Sequence, residues 1–200
     1  MTRLRIREIA PVDYNPVGRL LLEAYDRVGP FSQPYRQFLR HPEQWVAGAT
    51  AVFVAERRAG VEGAGREGQV DERVVGVVAF TLPGDREFEQ MLLTFADCGF
   101  RFLAVAPTAQ GQGVGRALVR ACLDTARARG CRRTVIHSMS FMTVAHRLYE
   151  QEGFARRPDL DVRFPSGVGY AFAQDLAPDA ADHFPPPGPV PDEPRWFEDF

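Results

Sequence analysis

The sequence predicts a single α/β domain built on a mixed β-sheet. Three observations favour this class: strand-like runs alternate with amphipathic helix-like runs, strand pairs at both ends are typical of hairpins, and a glycine-rich loop at residues 105–115 joins a strand to a helix. A chain of 200 residues has the length of one domain. We therefore expect one domain over residues 1–177, followed by a tail over residues 178–200.

The N-terminal half contains three predicted strands and two predicted helices. Near-alternation of arginines with Leu4, Ile6 and Ile9 predicts the first strand. Gly29 and Pro30 end the first helix, because this pair favours a turn. The glycine-rich, charged stretch before Val74 predicts a long exposed hairpin loop. The two helices are predicted at 16–28 and 34–47, and the second and third strands at 50–56 and 74–82.

The C-terminal half alternates strands and helices up to a terminal hairpin. Strands are predicted at 100–105 and 134–137, helices at 113–129 and 141–152, and the hairpin at 162–164 and 169–174. From Pro178 the chain is proline-rich and acidic, so it is predicted not to continue a sheet or a helix. Aromatic residues near its end could dock on the same chain or on a second copy, which would give a homodimer: Trp196, Phe197 and Phe200.

The composition argues against several classes of protein. A net charge of -2 gives no positive field to attract nucleic acid. No apolar run approaches the roughly 20 residues that span a bilayer, and the N-terminus lacks the apolar core of a secretory signal, so we expect a cytoplasmic protein. All 24 basic residues are arginine. Without lysine the chain can form neither a pyridoxal phosphate Schiff base nor a Walker-type nucleotide loop.

The cysteines and histidines do not have metal-ligand spacing. The three cysteines, Cys98, Cys122 and Cys131, form no C-x-x-C pair and are expected as small buried residues. A thiol nucleophile at Cys98 is the alternative. His137 and His146 form no His-x-x-x-His pair, and no carboxylates cluster near them, so no metal is expected.

The loop after Val105 has the pattern of an anion site. An apolar strand ends at Pro107, and Gly111, Gly113 and Gly115 then alternate up to a predicted helix start. Free amides at a helix start bind anions, and glycine lets a phosphate approach the backbone. Arg116 could add a charged contact. A dinucleotide fingerprint fits poorly, since it needs G-x-G-x-x-G in a first βαβ unit. A plain glycine-rich turn remains an alternative.

Two motifs resemble the GCN5-related N-acetyltransferases, the GNAT superfamily. Gln110-x-x-Gly113-x-Gly115, preceded by Leu-Ala-Val-Ala-Pro, resembles the Q/R-x-x-G-x-G/A signature, and His146–Phe154 resembles the later L-Y-x-x-x-G-F motif. The resemblance implies a mixed, mostly antiparallel sheet of six or seven strands, about four flanking helices, and fourth and fifth strands that splay apart. It also implies acetyl transfer from acetyl-CoA to a primary amine of a small molecule or peptide, by direct attack in a ternary complex. A catalytically inactive acyl-CoA sensor is the alternative.

The resemblance also assigns residues to the acetyl-CoA site. The main chain of Leu103, Ala104 and Val105 is expected to hold the pantetheine arm. The pyrophosphate is expected on the loop amides, with Arg116 at the rim: Gln110, Gly111, Gln112, Gly113, Val114 and Gly115. Met142 stands where relatives often carry Asn, which puts one cofactor contact in doubt.

Tyr149 is the expected proton donor to the departing thiolate, because a hydroxyl near the sulfur can donate there. A core tyrosine whose hydroxyl bonds to the main chain is the alternative. Gly99 occupies the position where many relatives have a Glu base, so Asp97, acting through a water, is the candidate base. A solvated loop aspartate is the alternative. Weaker candidates are Glu87, Glu89 and His137.

The acceptor side is expected to be aromatic. In the family the first two helices and the terminal hairpin line the acceptor. The aromatic residues there would suit a small amine with an apolar body or a peptide N-terminus, or they are ordinary core residues: Tyr25, Phe31, Tyr35, Phe38 and Trp45.

Overall fold

The computed structural model describes residues 4–57, 74–86 and 97–193, together with the backbone of residues 195 and 196. The predicted hairpin loop before Val74, and the candidates Glu87 and Glu89, lie outside the described residues.

The first half of the chain forms an antiparallel sheet in the order β1-β2-β3-β4. Its strands are β1 (Leu4–Glu8), β2 (Ala51–Arg57), β3 (Val74–Thr81) and β4 (Gly99–Val105). All eight residues of β3 are buried. Because neighbouring side chains of a strand point to opposite faces, both faces of β3 are covered.

Helices α1 (Tyr14–Asp26) and α3 (Val114–Ala128) both pack on β3 and β4, and α2 (Gln33–Arg40) packs on α1. The contact of α3 with β3 depends on Gly76. A Cβ there would lie 2.9 Å from side-chain atoms of both Val114 and Leu118. Glycine at this position therefore lets the helix that follows the loop sit directly on the central strand.

The second sheet has the order β5-β8-β7-β9, with β6 also paired to β8. Its strands are β5 (Arg133–Met139), β6 (Ala155–Arg156), β7 (Val162–Phe164), β8 (Gly167–Asp175) and β9 (Arg195–Trp196), and helices α4 (Thr143–Gln151) and α5 (Ala180–His183) belong to this half. The terminal hairpin predicted from the sequence corresponds to β7 and β8.

The two sheets meet at one parallel bridge between Cys98 and Thr134, just before β4 and at the start of β5. Val135 N donates to Cys98 O at 3.1 Å, and β4 and β5 form no further bridge. The predicted splay of the fourth and fifth strands is confirmed. In the described part of the chain, seven strands have three or more residues and four helices have eight or more, so the predicted fold class is confirmed.

A β-bulge interrupts β4 beside this gap. Val77 pairs with Ala104 and Ala79 with Arg101, so Phe102 and Leu103 together lie opposite Val78. Phe102 has a φ of 56°, a left-handed conformation that is uncommon for a bulky residue. A bulge bends its strand and increases the local twist. It therefore turns the second half of β4 relative to the first, at the level where the two sheets diverge.

The prediction that the tail does not continue a sheet or a helix through its prolines holds for residues 184–193, which contain neither, but the tail has regular structure on both sides of this run. It begins with the short helix α5, and β9 follows the last proline and pairs in parallel with β7. Between them, Gly188 N donates to Asp159 Oδ2 at 3.0 Å. The prolines end at position 194, so Arg195 and Trp196 have the amides that strand pairing needs.

Candidate active site

The loop between β4 and α3 presents bare backbone. Gly111 has a φ of 72° and Gly113 a φ of 81°, both left-handed, and a Cβ at either would meet no atom within 4 Å. Glycine is therefore favoured there by its backbone conformation. Gly113 is also the N-cap of α3, whose first amides have no intrahelical acceptor. This geometry makes the loop an anion site formed by main-chain donors.

The glutamines of the loop stabilise its shape. Gln110 Nε2 donates to Val105 O at 3.3 Å, and Gln112 Nε2 donates to Thr108 O at 2.9 Å. Gln112 Oε1 in turn accepts from Arg57 at 2.6 Å. Both amide side chains thus bond to groups of the protein.

Arg116, in the first turn of α3, bonds to the C-terminal end of α4. Its Nε lies 2.9 Å from Glu152 Oε1, and its Nη2 donates to Gln151 Oε1 at 2.9 Å. Arg120, one turn later, bonds to the other oxygen of Glu152. An Arg116 contact with pyrophosphate would therefore compete with this ion pair.

Tyr149 of α4 is buried, with its ring packed between the two sheets. The ring centroids of Phe100 and Phe172 lie 5.9 and 5.7 Å from its own. Among the described residues, its hydroxyl has no hydrogen-bond partner. The alternative of a core tyrosine bonded to the main chain is therefore not what the structure contains.

Burial raises the pKa of Tyr149 above its ordinary value, with a smaller contribution from Cys122. Its phenol stays protonated at neutral pH, as a proton donor requires. The hydroxyl also lies close enough to Tyr25 to raise the pKa of that group slightly, after burial and Tyr35.

The structure does not favour Asp97 as a base. Its Oδ2 accepts from Arg132 N at 2.7 Å, and its own amide donates to Arg133 O. These bonds place Asp97 beside the Cys98–Thr134 bridge, at the closed end of the pair formed by β4 and β5, where the two strands meet. The two strands separate farther along, toward the glycine loop. The sequence could not reveal this, because the partner amide lies 35 residues away.

The cysteines are buried and unbridged. Cys98 Sγ lies 3.1 Å from Thr134 Oγ1. Burial raises the pKa of Cys98, so its thiolate form is disfavoured. The alternative of a thiol nucleophile at Cys98 is thus not supported.

A cleft of about 100 Å³ opens between β4, β5 and the N-terminal helices. Tyr25, Phe31 and Tyr35 form one wall, with ring centroids 5.1 to 6.2 Å apart. Phe102, at the bulge, forms part of the floor. Its ring packs on Trp45, which is fully buried. Of the aromatic set expected from the sequence, the first three residues line the cleft. Phe38 and Trp45 pack behind it, on Phe102.

The cleft also contains His137. Its Nε2 lies 2.9 Å from Leu160 O, which can only accept, so Nε2 carries the hydrogen and Nδ1 is a proton acceptor. Burial lowers the pKa of His137 to about 4, so the ring is neutral at physiological pH. His146 instead stacks near Tyr170 and Phe172 and bonds to Met139 O.

Met142 and Arg101 also line the cleft. Ser138 Oγ donates to the sulfur of Met142 at 3.6 Å. Sequence reasoning missed Arg101. The sequence signal that could have revealed Arg101 was a single charged residue within the otherwise apolar strand before the glycine loop.

Neither a metal-binding cluster nor a membrane-spanning helix is present in the described residues. No group of three or more His, Cys, Asp or Glu side chains there could hold a metal ion. No helix among them is long and apolar enough to cross a membrane.

Comparison with known proteins identifies the family. The model of the acetyltransferase (GNAT) family matches residues 32–154, which is more than half of the chain. The chain belongs to this family. The family membership and the acyltransferase activity predicted from the two motifs are confirmed. No curated protein matches the sequence significantly.

Solved structures share the fold at low sequence identity. A GCN5-related N-acetyltransferase from Kribbella flavida is 19% identical with a TM-score of 0.60, over 86% of this chain and 98% of that one. The Salmonella typhimurium protein yncA, solved with its cofactor acetyl-CoA, is 18% identical with a TM-score of 0.59, over 89% and 96%. The ribosomal-protein-S18-alanine N-acetyltransferase of Escherichia coli is 16% identical with a TM-score of 0.58, over 88% and 95%.

Proposed function

We propose that this chain transfers the acetyl group of acetyl-CoA to the primary amine of a small molecule. The observation that carries the proposal is the gap between β4 and β5, which opens beyond the Cys98–Thr134 bridge and has the bare glycine loop at the end of β4. Acetyl-CoA in the related fold of yncA supports the same co-substrate here.

The proposed cofactor contacts follow the backbone. The main chain of residues 103–105 would line the pantetheine arm. The amides of residues 110–115 would bind the pyrophosphate, because the helix start and the two left-handed glycines leave them uncovered. Arg116 would add a rim contact by leaving Glu152.

The bulge supplies a donor for the thioester carbonyl. Two residues lie opposite Val78, and a bulge leaves one residue outside the ladder of hydrogen bonds. We assign the amide of Leu103 to this role, as an oxyanion donor that stabilises the charge developing on the carbonyl oxygen.

In the proposed reaction the neutral amine nitrogen bonds to the thioester carbon, and the carbon–sulfur bond breaks. The Tyr149 hydroxyl gives its proton to the departing thiolate. The amine nitrogen, acidic once it is bonded to the carbonyl carbon, loses its proton to His137 Nδ1, which is neutral and lines the cleft. Solvent exchange then returns both side chains to their starting states. We prefer His137 to Asp97 because Asp97 lies at the closed end of the strand pair.

The test is a CoA-release assay on the purified protein with acetyl-CoA and a panel of primary amines. We expect saturable acetyl-CoA binding and CoA release with at least one amine. Tight binding without release from any amine would instead support an inactive acyl-CoA sensor. Absence of acetyl-CoA binding would overturn both interpretations.

A further inference from the structure

The aromatic wall of the cleft is formed by Tyr25 of α1, Tyr35 of α2 and Phe31 between these two helices. The three ring centroids lie 5.1, 5.5 and 6.2 Å apart, and the ring planes are tilted by 35° to 52°. Tilted rings at centroid distances of about 4.5–7 Å have the favourable geometry of aromatic pairs. The three rings therefore stabilise one another and present one continuous apolar surface to the cleft.

The wall is also held by a contact from the other half of the chain. Phe141, in the turn between β5 and α4, packs edge-on against Phe31 with the ring centroids 5.8 Å apart. The Phe141 ring also lies against Gly29, where an added Cβ would come within 2.3 Å of it. Glycine at this position leaves the space that the ring occupies. The loop that carries Phe31 is thus fixed by a contact that crosses the gap between the two halves.

Other lining side chains favour an aromatic ligand as well. Met139 ends β5 and Met142 precedes α4, and both line the cleft. A thioether sulfur makes favourable contacts with aromatic rings, and the unbranched methionine side chain adapts to the shape of its partner. Phe164 of β7 adds a further ring to the lining. Rings and sulfur atoms therefore face a bound molecule from more than one element.

The volume of the cleft limits how large an aromatic group can be. The cleft measures about 100 Å³. An apolar cavity of roughly 150 Å³ engineered into another protein binds one molecule of benzene. The cleft is of the same order and is open, so its size matches a single ring better than two fused rings.

The aromatic wall adjoins the groups proposed for the reaction. Burial and then Tyr35 raise the pKa of Tyr25, and Tyr149 adds a smaller contribution, so the Tyr25 hydroxyl lies near that of the proposed proton donor. His137, the proposed base, lines the same cleft. An amine joined to a ring by a short carbon chain can thus approach both groups while its ring packs on the wall.

We propose that the acceptor is a primary amine that carries one aromatic ring on a short carbon chain, and that Phe31 selects for this ring. This inference rests on the proposed acetyl transfer and names the substrate class for it. A flat ring gains from packing on the wall beyond the apolar area that it buries, whereas a puckered saturated ring of similar size gains only from the area.

The experiment compares matched acceptors in the CoA-release assay with the full chain. 2-Phenylethylamine and 2-cyclohexylethylamine have the same carbon skeleton and differ only in whether the ring is flat and aromatic. We expect kcat/KM to be about fivefold higher for 2-phenylethylamine. Ethanolamine, which has no ring to bury, should be at least about tenfold poorer. Tryptamine should be poorer by a similar factor of about ten, because its two fused rings exceed the space for one.

A substitution in the wall tests the role of Phe31. Phe31→Leu keeps an apolar side chain and removes the ring, so the preference for 2-phenylethylamine over 2-cyclohexylethylamine should fall below about twofold. Phe53→Leu is the matched control, because Phe53 on β2 is partly buried like Phe31 and does not belong to the described lining. It should leave the preference unchanged. Melting temperatures of both variants show whether either substitution unfolds the protein.

Binding of the two N-acetylated products, measured by calorimetry in the presence of CoA, reports on the ring site without turnover. If no amine releases CoA, the proposed function fails. Tighter binding of N-acetyl-2-phenylethylamine than of its cyclohexyl counterpart, lost in Phe31→Leu, would then still support the ring site, and equal binding of the two products would overturn it.

If CoA is released equally from the two ring-bearing amines, the inference is wrong while the acetyl transfer stands. Faster turnover of tryptamine than of 2-phenylethylamine would also overturn the inference, because the cleft would then take more than one ring. Better turnover of a tetrapeptide that begins with phenylalanine would overturn it in favour of a peptide acceptor. The comparison of acceptors in the unaltered protein does not depend on whether the Phe31→Leu variant folds.

Discussion

At the scale of single residues, Tyr149 has the clearest expected effect. Its hydroxyl has no partner among the described residues, while its ring packs on Phe100, Phe154 and Phe172. Tyr149→Phe keeps the packing and removes the proton. We expect kcat to fall by about 10²-fold, within the usual range for general acids, while the acetyl-CoA dissociation constant stays within about twofold.

The packing provides the control for this prediction. Tyr149→Ala should lower the melting temperature, because it removes a large buried ring, whereas Tyr149→Phe should leave it nearly unchanged. Turnover in Tyr149→Phe equal to that of the unaltered protein would exclude the proton-donor role.

Gly113 has a matched counterpart in Gly130. Both have left-handed φ values, 81° and 73°, and neither would have an atom within 4 Å of an added Cβ. Gly113→Val and Gly130→Val should therefore cost similar stability, on the order of 1–2 kcal/mol. Only Gly113→Val places a side chain over the proposed pyrophosphate site.

We expect Gly113→Val to weaken acetyl-CoA binding by at least about 100-fold and Gly130→Val to leave it unchanged, as measured by calorimetry. Equal effects of both substitutions on binding would show that backbone strain, and not contact with the cofactor, is responsible.

His137 makes stability depend on pH. Its folded pKa is about 4, below the ordinary 6.5, so the unfolded state binds more protons between these values. The free energy of unfolding should thus fall as pH drops from 6.5 to 4, by on the order of 3 kcal/mol from this group. His137→Gln should remove that slope, as measured by denaturant unfolding across pH, whereas His183→Gln, at an exposed site, should retain it.

At the scale of secondary-structure elements, Glu152 joins α3 to α4. It is nearly buried and accepts from Arg116 and Arg120, which are about half exposed or more. The two arginines form a matched pair, because they share one partner and only Arg116 lies in the first turn. Arg116→Gln and Arg120→Gln should each lower stability by about 1 kcal/mol or less.

The difference between these variants should appear in cofactor binding. We expect Arg116→Gln to weaken acetyl-CoA binding about fivefold and Arg120→Gln to leave it unchanged, in isothermal titration of each variant. If both leave it unchanged, Arg116 acts only in the ion pair with Glu152.

Most elements could be predicted from the sequence, because their patterns are local. The helix predicted at 113–129 is observed at Val114–Ala128, and the strand predicted at 100–105 at Gly99–Val105. The second helix was predicted to reach residue 47, but α2 ends at Arg40 and Pro42 begins a 3-10 turn. Proline at that position removes the amide that a continuing helix needs.

The bulge and the site contacts could not be predicted in the same way. Phe102 takes a left-handed φ without being glycine, so no residue type marks the bulge, and it shows only in the register with β3. Asp97 looked like a candidate base because of its position along the chain, yet its carboxylate binds Arg132 N. Arg101 lines the cleft because β4 lies beside β5 and the N-terminal helices, an arrangement that the local sequence does not specify. The bulge, the Asp97 contact and the place of Arg101 each depend on contacts between residues that lie 20 or more positions apart in the sequence.

At the scale of the whole molecule, two sheets meet at one bridge and open toward the glycine loop. A ligand that fills this opening binds the folded protein and not the unfolded chain, because the opening exists only in the folded state. Acetyl-CoA at 100 times its dissociation constant should therefore add about 2.7 kcal/mol to the free energy of unfolding. The same architecture places the cleft that we propose for the acceptor between the two halves of the chain, with β7 at one of its edges through Phe164.

The tail covers the outer edge of β7, and this makes its removal informative. β9 pairs with β7 through Val162 and Arg163, so the edge of the strand is covered within one chain. A chain ending at Glu193 lacks β9 and presents an unpaired edge, which favours pairing with another copy. A chain ending at Trp196 keeps β9 and is the matched control.

We expect the full chain and the chain ending at Trp196 to be monomers in sedimentation experiments, and the chain ending at Glu193 to self-associate. All three should bind acetyl-CoA equally, because the loop belongs to β4 and α3. A full chain that is a dimer and becomes a monomer when it ends at Glu193 would instead show that the tail docks on a second copy. The tail would then form a homodimer interface instead of covering its own sheet.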